Sequence, residues 1–575
     1  MPTFIRLTDY KSSDAKEQGF FDSKNKYEAK QDDFEKIPGS PIAYWASDDV
    51  KKIYKKSNKL ESFYTVKSGI MTGNDDYFLK KWYEVPFSTI GFNLFNADDI
   101  KISKKTWFPM NKEKEYRKWS GQYTFVLNLE KEGVAFSEYQ GSLNYRLRDR
   151  KYYFLKGISW GDVGSDYPSF RFDNGSLLFA SRGPMIFEDN KYLLGLLNSI
   201  VCRSILKMTN PTLTFNLNEI NNIPLLPENM NKDIIIKIVQ QNINISKEEW
   251  DSRETSWDFA NNTLLKHKQD GQLENALNTY TSYWTDQFNT LHSNEEELNR
   301  LFIDIYDLQD ELTPDVALED ITILKNEAKI TNDKLVFDNK EIIKQFISYC
   351  VGCMFGRYTL DSDGLVVANQ NQAIPTDSTF EIDDDNIIPI VDESDYFSDD
   401  MADRFTEFLR ATFGSEKLQQ NIAFIEACLG KKIRAYFMKD FYVDHTKRYK
   451  KRPIYWLFSS LNATFQVLIY MHRYTPDTLN HILNDYLRPF RIRLDTMRSE
   501  SMRITESEEV SARDKTEADK KIDKIDKTLD DITVYEKVLD HYAKQRIEID
   551  LDDGVKVNYC KFKDLLFEFD KKLCK

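Results

Sequence analysis

Histidine and cysteine are scarce, at six residues each in a chain of 575. The cysteines are scattered, at Cys202, Cys350, Cys353, Cys428, Cys560 and Cys574. That is too few for a disulfide framework in a chain of this length, and it fits a reducing cytoplasm. Cys350-Val-Gly-Cys353 has zinc-like spacing but no second Cys or His pair nearby, and a closed zinc site needs four ligands. The pair is expected to be structural and buried. The histidines stand singly. Asp444-His445 and His472-Arg473-Tyr474 have no legible nucleophile or metal partner, so hydrogen-bonded structural histidines are expected. No run of about 18 consecutive apolar residues occurs, so no membrane-spanning helix is expected. Met1 to Asp14 carries no apolar signal core and no cleavage site, so no export signal is expected there. A Walker loop, an HExxH pair and a carboxylate–lysine nuclease cluster are absent as well.

What is present is ample core material. Hydrophobic residues make up 41% of the chain and aromatics 14%. The length suggests several domains. The net charge is −14, which argues against a protein that coats nucleic acid over its whole surface. The sign is uneven, however. Lys101 to Trp119 holds seven Lys/Arg against two Glu, and Lys431 to Arg452 holds nine against two Asp. The acidic excess lies chiefly in 374–403 and 505–553. Gripping DNA requires local basic faces, not a basic average.

Residues 1–35 read as a polar connecting segment. Residues 36–228 read as a mixed α/β (α+β) domain of short strands, such as Tyr123-Thr-Phe-Val-Leu and Ser176-Leu-Leu-Phe-Ala. One helix is expected there, from Tyr192 to Met208, and Pro224 and Pro227 close the region in extended form. Residues 229–345 read as a helical linker region and 346–575 as a mainly α-helical carboxy-terminal domain with an acidic loop at 366–401. Within it, Leu418, Ile422, Ile425 and Leu429 share a helical face that Gly430 would end. A charged helix follows Ser511.

Several segments carry candidate binding chemistry. In Gly69 to Val85, Thr72, Gly73 and Asn74 form a turn whose Thr and Asn can hydrogen-bond phosphate or base edges, and a plain surface turn is the other reading. From Lys105 to Gln122 basic residues interleave with Trp107, Phe108, Tyr116 and Trp119. If the aromatics pack inward, Lys112, Arg117 and Lys118 can reach phosphates; a solvated face is the alternative. Lys447, Arg448, Lys450, Lys451 and Arg452 place five cations in six positions, a density that favours phosphate contact over solubility alone. Ser169 and Arg171 offer base-reading side chains. The cationic cluster should position DNA, while Thr72 to Asn74 and Ser169 to Arg171 should specify its sequence.

Taken in order, many strings resemble the PglX family, the adenine-specific DNA methyltransferases of BREX phage-defence systems. They include Ile37-Pro-Gly-Ser-Pro-Ile-Ala-Tyr-Trp45, the Gly69–Val85 stretch, Gly157-Ile-Ser-Trp160 and Ser169-Phe-Arg-Phe172. Further along come Glu254-Thr-Ser-Trp-Asp-Phe259, Gly352-Cys-Met-Phe-Gly-Arg-Tyr358, Lys450-Lys-Arg-Pro-Ile-Tyr-Trp456 and Asp550-Leu-Asp-Asp-Gly-Val555. The resemblance implies that 36–228 is a target-recognition domain acting on double-stranded DNA. Members of the family use S-adenosylmethionine and an Asn-Pro-Pro-Tyr motif around the flipped base. Neither the cofactor loop nor that motif is present here; Asn210-Pro-Thr has one proline and no aromatic after it. The chain therefore resembles the recognition and carboxy-terminal portion, with no cofactor of its own, and is expected to be inactive alone.

Two readings follow. One is a specificity module for a methyltransferase half supplied elsewhere. The other is a non-catalytic truncated or regulatory protein that binds other BREX components without reading DNA. DNA binding separates them.

Overall fold

The computed structural model describes every residue except 1, 9, 38–39, 113–114, 140–143, 162–166, 211–213, 228–230, 394–395, 568–573 and 575. The fold is mixed α/β: short strands concentrate before residue 190 and long helices after it. The aromatic-rich first part builds two four-stranded sheets. In one, Trp107–Asn111 lies antiparallel to Phe125–Asn128, which pairs on its other side with Leu79–Lys81. Leu178–Phe179 adds in parallel beside Met110 and Asn111. In the other, Gly157–Trp160 pairs antiparallel with Phe170–Asp173 and with Met185–Ile186. The expected strands at Tyr123 and Ser176 are thus present: the first starts at Phe125 and runs to Asn128, and the second is shortened at both ends to Leu178–Phe179. Phe78, Phe108, Phe136 and Phe179 fill a small satellite core under the first sheet, with Phe78 and Phe136 stacked 4.0 Å apart.

The helix expected from Tyr192 to Met208 is two helices, Lys191–Asn198 and Ile200–Thr209. Ser199 interrupts it with extended backbone and caps the second helix by accepting from the Cys202 N–H. Serine competes for backbone partners in this way, and the apolar period alone does not reveal it. The freed Ile200 N–H donates instead to Asn299 Oδ1 at 2.8 Å. Leu418–Leu429 forms as its spacing predicts and stops at Gly430 in the left-handed region. Ser511 caps the 34-residue helix Ala512–Gln545.

Residues 1–35 contain a helix, Ser13–Phe21, and a strand pair, Thr3–Ile5 with Lys26–Glu28. Within the acidic stretch 366–401, Ile388–Ile390 pairs with Gln466–Tyr470, the central strand of a three-stranded sheet completed by Tyr455–Ser459. The boundary expected after 228 falls on 228–230, outside the described residues. One apolar cluster includes residues from Ile37 to Leu566. Lys232–Asp251 packs on Lys191–Asn198 and on Leu273–Tyr306, and Gly195 allows the close approach: a Cβ there would stand 3.0 Å from Val239 and 3.3 Å from Phe302. Among the described residues, no helix is long and apolar enough to cross a membrane.

Candidate nucleic-acid interface

The fold gathers cations that lie far apart in sequence. Two adjoining clefts, of about 730 and 370 Å³, share Lys81, Glu115 and Lys450 on their walls. Lys80, Lys112, Arg452 and Lys556 line the wider one. Lys447 and Arg448 line the narrower.

Local structure explains the display. The helix Tyr442–Arg448 ends in a tight turn in which the Lys451 N–H donates to the Thr446 carbonyl at 2.8 Å. Lys450 and Lys451 both sit at positive φ there, which turns their side chains out to solvent. The Tyr83 hydroxyl anchors the turn by donating to the Tyr449 carbonyl at 3.0 Å. Several cleft cations already have carboxylate partners. Lys450 pairs with Glu115 at 2.9 Å, Arg452 with Glu84 at 3.4 Å, Lys556 with Asp76 at 3.3 Å, and Lys112 with Asp75. Burial holds the Lys80 ammonium below its ordinary pKa, and Arg452 adds to the effect. Lys447 and Lys451 are exposed and make no ion pair among the described residues.

Other expected contacts are corrected. Arg117 and Lys118 are buried. Arg117 donates to Glu249 at 2.8 Å and to the Ser120 carbonyl at 2.7 Å, and Lys118 pairs with Glu295. Trp119, next in the chain, is fully buried and donates to Glu295 at 2.8 Å. The interleaved aromatic thus draws its basic neighbours inward, where a buried cation must be paired. Arg448 is largely buried too, near Glu341 and the Lys344 carbonyl. These three side chains are engaged by partners within the fold.

The base-reading candidates are similarly engaged. Arg171 is 1% exposed, reaches Gln122 at 3.4 Å and lies over the Tyr123 ring. Ser169 Oγ accepts from the Arg117 N–H at 3.1 Å. Thr72 is buried and donates to Asp75. Asn74 caps the short helix Asp75–Phe78 and donates to the Tyr139 hydroxyl at 2.8 Å. Gly73 is exposed with φ of 74°, and a Cβ would crowd the Asn144 backbone at 3.1 Å. Of this set only Gly73 and Asn74 retain access to solvent.

Sequence reasoning missed Lys80, Lys81 and Lys556. The Lys80-Lys81 pair sat within a stretch already singled out, in the strand Leu79–Lys81 that carries it to the cleft; nothing marks Lys556. His445 and His472 are buried, and burial holds both below the ordinary histidine range, His472 at about 3. Cys350 and Cys353 are buried in the helix Asn339–Met354 with free thiols. Cys560 is bridged to Cys574, contrary to the all-reduced reading of the cysteines.

No protein-family model matches the chain. It is 37% identical over 589 aligned residues to the adenine-specific methyltransferase PglX of Lacticaseibacillus casei (strain Zhang), a match that takes in 97% of this chain and 48% of that protein. It is 34% identical over 602 residues to the adenine-specific methyltransferase BrxX of Escherichia coli O9:H4 (strain HS), covering 98% of this chain and 48% of that one. The chain therefore spans about half the length of the curated relatives it matches.

Proposed function

From this half-length match and the cationic clefts, we propose that the chain is the DNA-recognition and carboxy-terminal portion of a PglX-like, site-specific adenine DNA methyltransferase of BREX phage defence. The observation that carries the reading is that nearly the whole chain aligns with one half of two adenine-specific methyltransferases. On this reading S-adenosylmethionine and the methyl-transfer residues belong to the other half. Residues 36–228 form the recognition domain, with 229–345 linking it to a carboxy-terminal domain at 346–575, and the protein works in the cytoplasm. Lys112, Lys447, Lys450, Lys451 and Arg452 contact phosphates, joined by Lys80, Lys81 and Lys556. Gly73 and Asn74 are the base-reading candidates that remain accessible. The test is a salt titration of duplex binding, whose slope counts the phosphates neutralised. Binding that does not weaken with salt, or no binding at low salt, removes the reading.

The carboxylate partners of the cleft cations favour a second reading, in which this half binds another BREX protein and does not read DNA. Capture of such a protein in the absence of duplex binding would select it.

A further inference from the structure

A second set of cations lies outside both clefts. Arg146 runs beside the segment Gly69 to Met71: its N–H donates to the Met71 carbonyl at 2.8 Å, and the Met71 N–H donates to the Arg146 carbonyl at 3.1 Å. Leu147 packs on the satellite core, so its neighbours Arg146 and Arg148 take the opposite side of the chain. Arg146 is exposed. Arg148 is half-buried, and its Nε donates to the Gly69 carbonyl at 3.0 Å. Neither pairs with an acid among the described residues. Burial holds the Arg148 guanidinium below its ordinary pKa, and Arg146 adds to the effect. Like charges set together without a counter-ion are placed for an anion from outside the chain.

The other flank of the same segment leads to Lys112. The Ile70 N–H donates to the Phe179 carbonyl at 2.8 Å, and the Ser181 N–H donates to the Ile70 carbonyl at 2.8 Å. The Ala180 N–H donates in turn to the Asn111 carbonyl at 3.1 Å. The order across this surface is therefore Arg146, Met71, Ala180, Asn111, and Lys112 follows Asn111 in the chain. Neighbouring strands lie about 4.8 Å apart, so roughly 14 Å separates the backbones at the two ends of that order. Between them the chain continues from Met71 into the turn Thr72-Gly73-Asn74, where Gly73 is exposed. Asp75 ties the turn to the Lys112 flank, because it accepts from Thr72 and pairs with Lys112.

We propose that this turn enters the major groove of duplex DNA, with Lys112 on the phosphates of one strand and Arg146 and Arg148 on those of the other. A loop that enters a groove is flanked by two phosphate backbones, and here cations stand on both flanks of one turn. The spacing of the flanks fits the major groove, about 12 Å wide, and not the minor groove, about 6 Å wide. The proposal rests on the nucleic-acid reading above. It adds a docking direction and two phosphate contacts that neither cleft contains.

Fluorescence anisotropy of the whole chain with a labelled duplex tests it. Methyl green, which occupies the major groove, should displace the protein, and distamycin, which occupies the minor groove, should not. Arg146→Ala should weaken binding several-fold at low salt and lower the salt slope by about one unit, with the melting temperature unchanged. Arg146→Lys should restore the slope, and Arg146→Ala combined with Lys112→Ala should lower it by about two units. Displacement by distamycin and not by methyl green overturns the docking direction. An Arg146→Ala variant with the parent's affinity and slope overturns the second flank, as does one that loses sequence preference at an unchanged slope, which would put Arg146 on a base edge. In each of these cases the parent still binds duplex, and the broader reading stands. A parent chain that binds no duplex at low salt overturns both.

Discussion

Arg117 and Glu249 meet 2.8 Å apart inside the protein, across 132 residues of sequence. Arg253 takes the other oxygen of Glu249. Burial alone would raise the Glu249 pKa, but Arg253 and Arg117 hold it at about 2. The loop 115–122 is thereby fastened to the end of the Lys232–Asp251 helix, and the narrower cleft lies between these two segments.

Glu249→Gln should therefore destabilise the chain by about 3–5 kcal/mol, because it strands two buried guanidinium groups. Lys450→Ala removes an exposed pair and should cost less than about 1 kcal/mol. Urea unfolding of both variants checks the contrast. The pH dependence follows from the direction of the shift. The folded pKa lies below the unfolded value of 4.5. The contribution is present above that value and is lost as pH falls toward 2, so the variant and the parent should converge in acid. Equal costs for the two substitutions would contradict the buried-network account.

Asp173 should behave in the opposite sense. Burial pushes its carboxyl up to about 6, against the pull of backbone N–H donors from Gly175 and Ser176 and of Arg171. The folded protein therefore holds this proton more tightly than the unfolded chain does. The resulting stability is present below about pH 4 and is lost as pH rises through about 6. Asn keeps the acceptor that Gly175 and Ser176 use, at 2.9 and 3.4 Å, and removes the ionisation. Asp173→Asn should raise stability at pH 7.5 by an amount on the order of 2 kcal/mol, with the gain vanishing near pH 4. Thermal melts across that range measure it, and a gain independent of pH would remove ionisation as the cause.

Ser199 gives a local test. Its cap separates Lys191–Asn198 from Ile200–Thr209. Ser199→Ala removes the oxygen that accepts from Cys202 and should cost about 1 kcal/mol, whereas Ser199→Asp should restore most of it. If alanine proved stabilising, the break would owe nothing to the cap.

These residues also show how much was legible beforehand. The Leu418–Leu429 helix could be read because its apolar period and its terminating glycine lie within thirteen positions of each other. The Lys447–Arg452 cluster could be read because charge density is a local property. The inward turn of Arg117 and Lys118 could not be read, since Glu249 and Glu295 stand 132 and 177 residues away. Nothing near Arg117 distinguishes a cation bound for the core from one bound for the surface. The two-helix break was half visible: Ser199 follows Asn198, but a periodic apolar face outweighed the capping signal. The convergence of Lys112 on Lys450 required the fold itself.

The cleft cations supply the last prediction. Lys450 is held by Glu115, and both side chains are more than half exposed. Lys112 is held by Asp75 and Lys556 by Asp76. The Lys450 and Lys556 pairs are exposed and therefore weak, so a phosphate can displace the carboxylate, although the displaced acid remains nearby and repels the backbone. Glu115→Gln should therefore tighten duplex binding a few-fold at low salt. Lys450→Ala, Lys451→Ala and Lys447→Ala should each weaken binding to every duplex alike and lower the salt slope by about one unit for each phosphate no longer neutralised. Because the slope counts released counterions and the carboxylate is not a counterion, Glu115→Gln should shift the affinity with a smaller change in slope. Arg171→Ala, which loosens a buried strand, should lower the melting temperature with cognate and random DNA affected equally. Fluorescence anisotropy over a salt series resolves the binding effects, and a thermal melt the last. A Glu115→Gln variant that bound more weakly, or an Arg171→Ala variant that lost only sequence preference, would show that the acid and the buried arginine contact DNA directly.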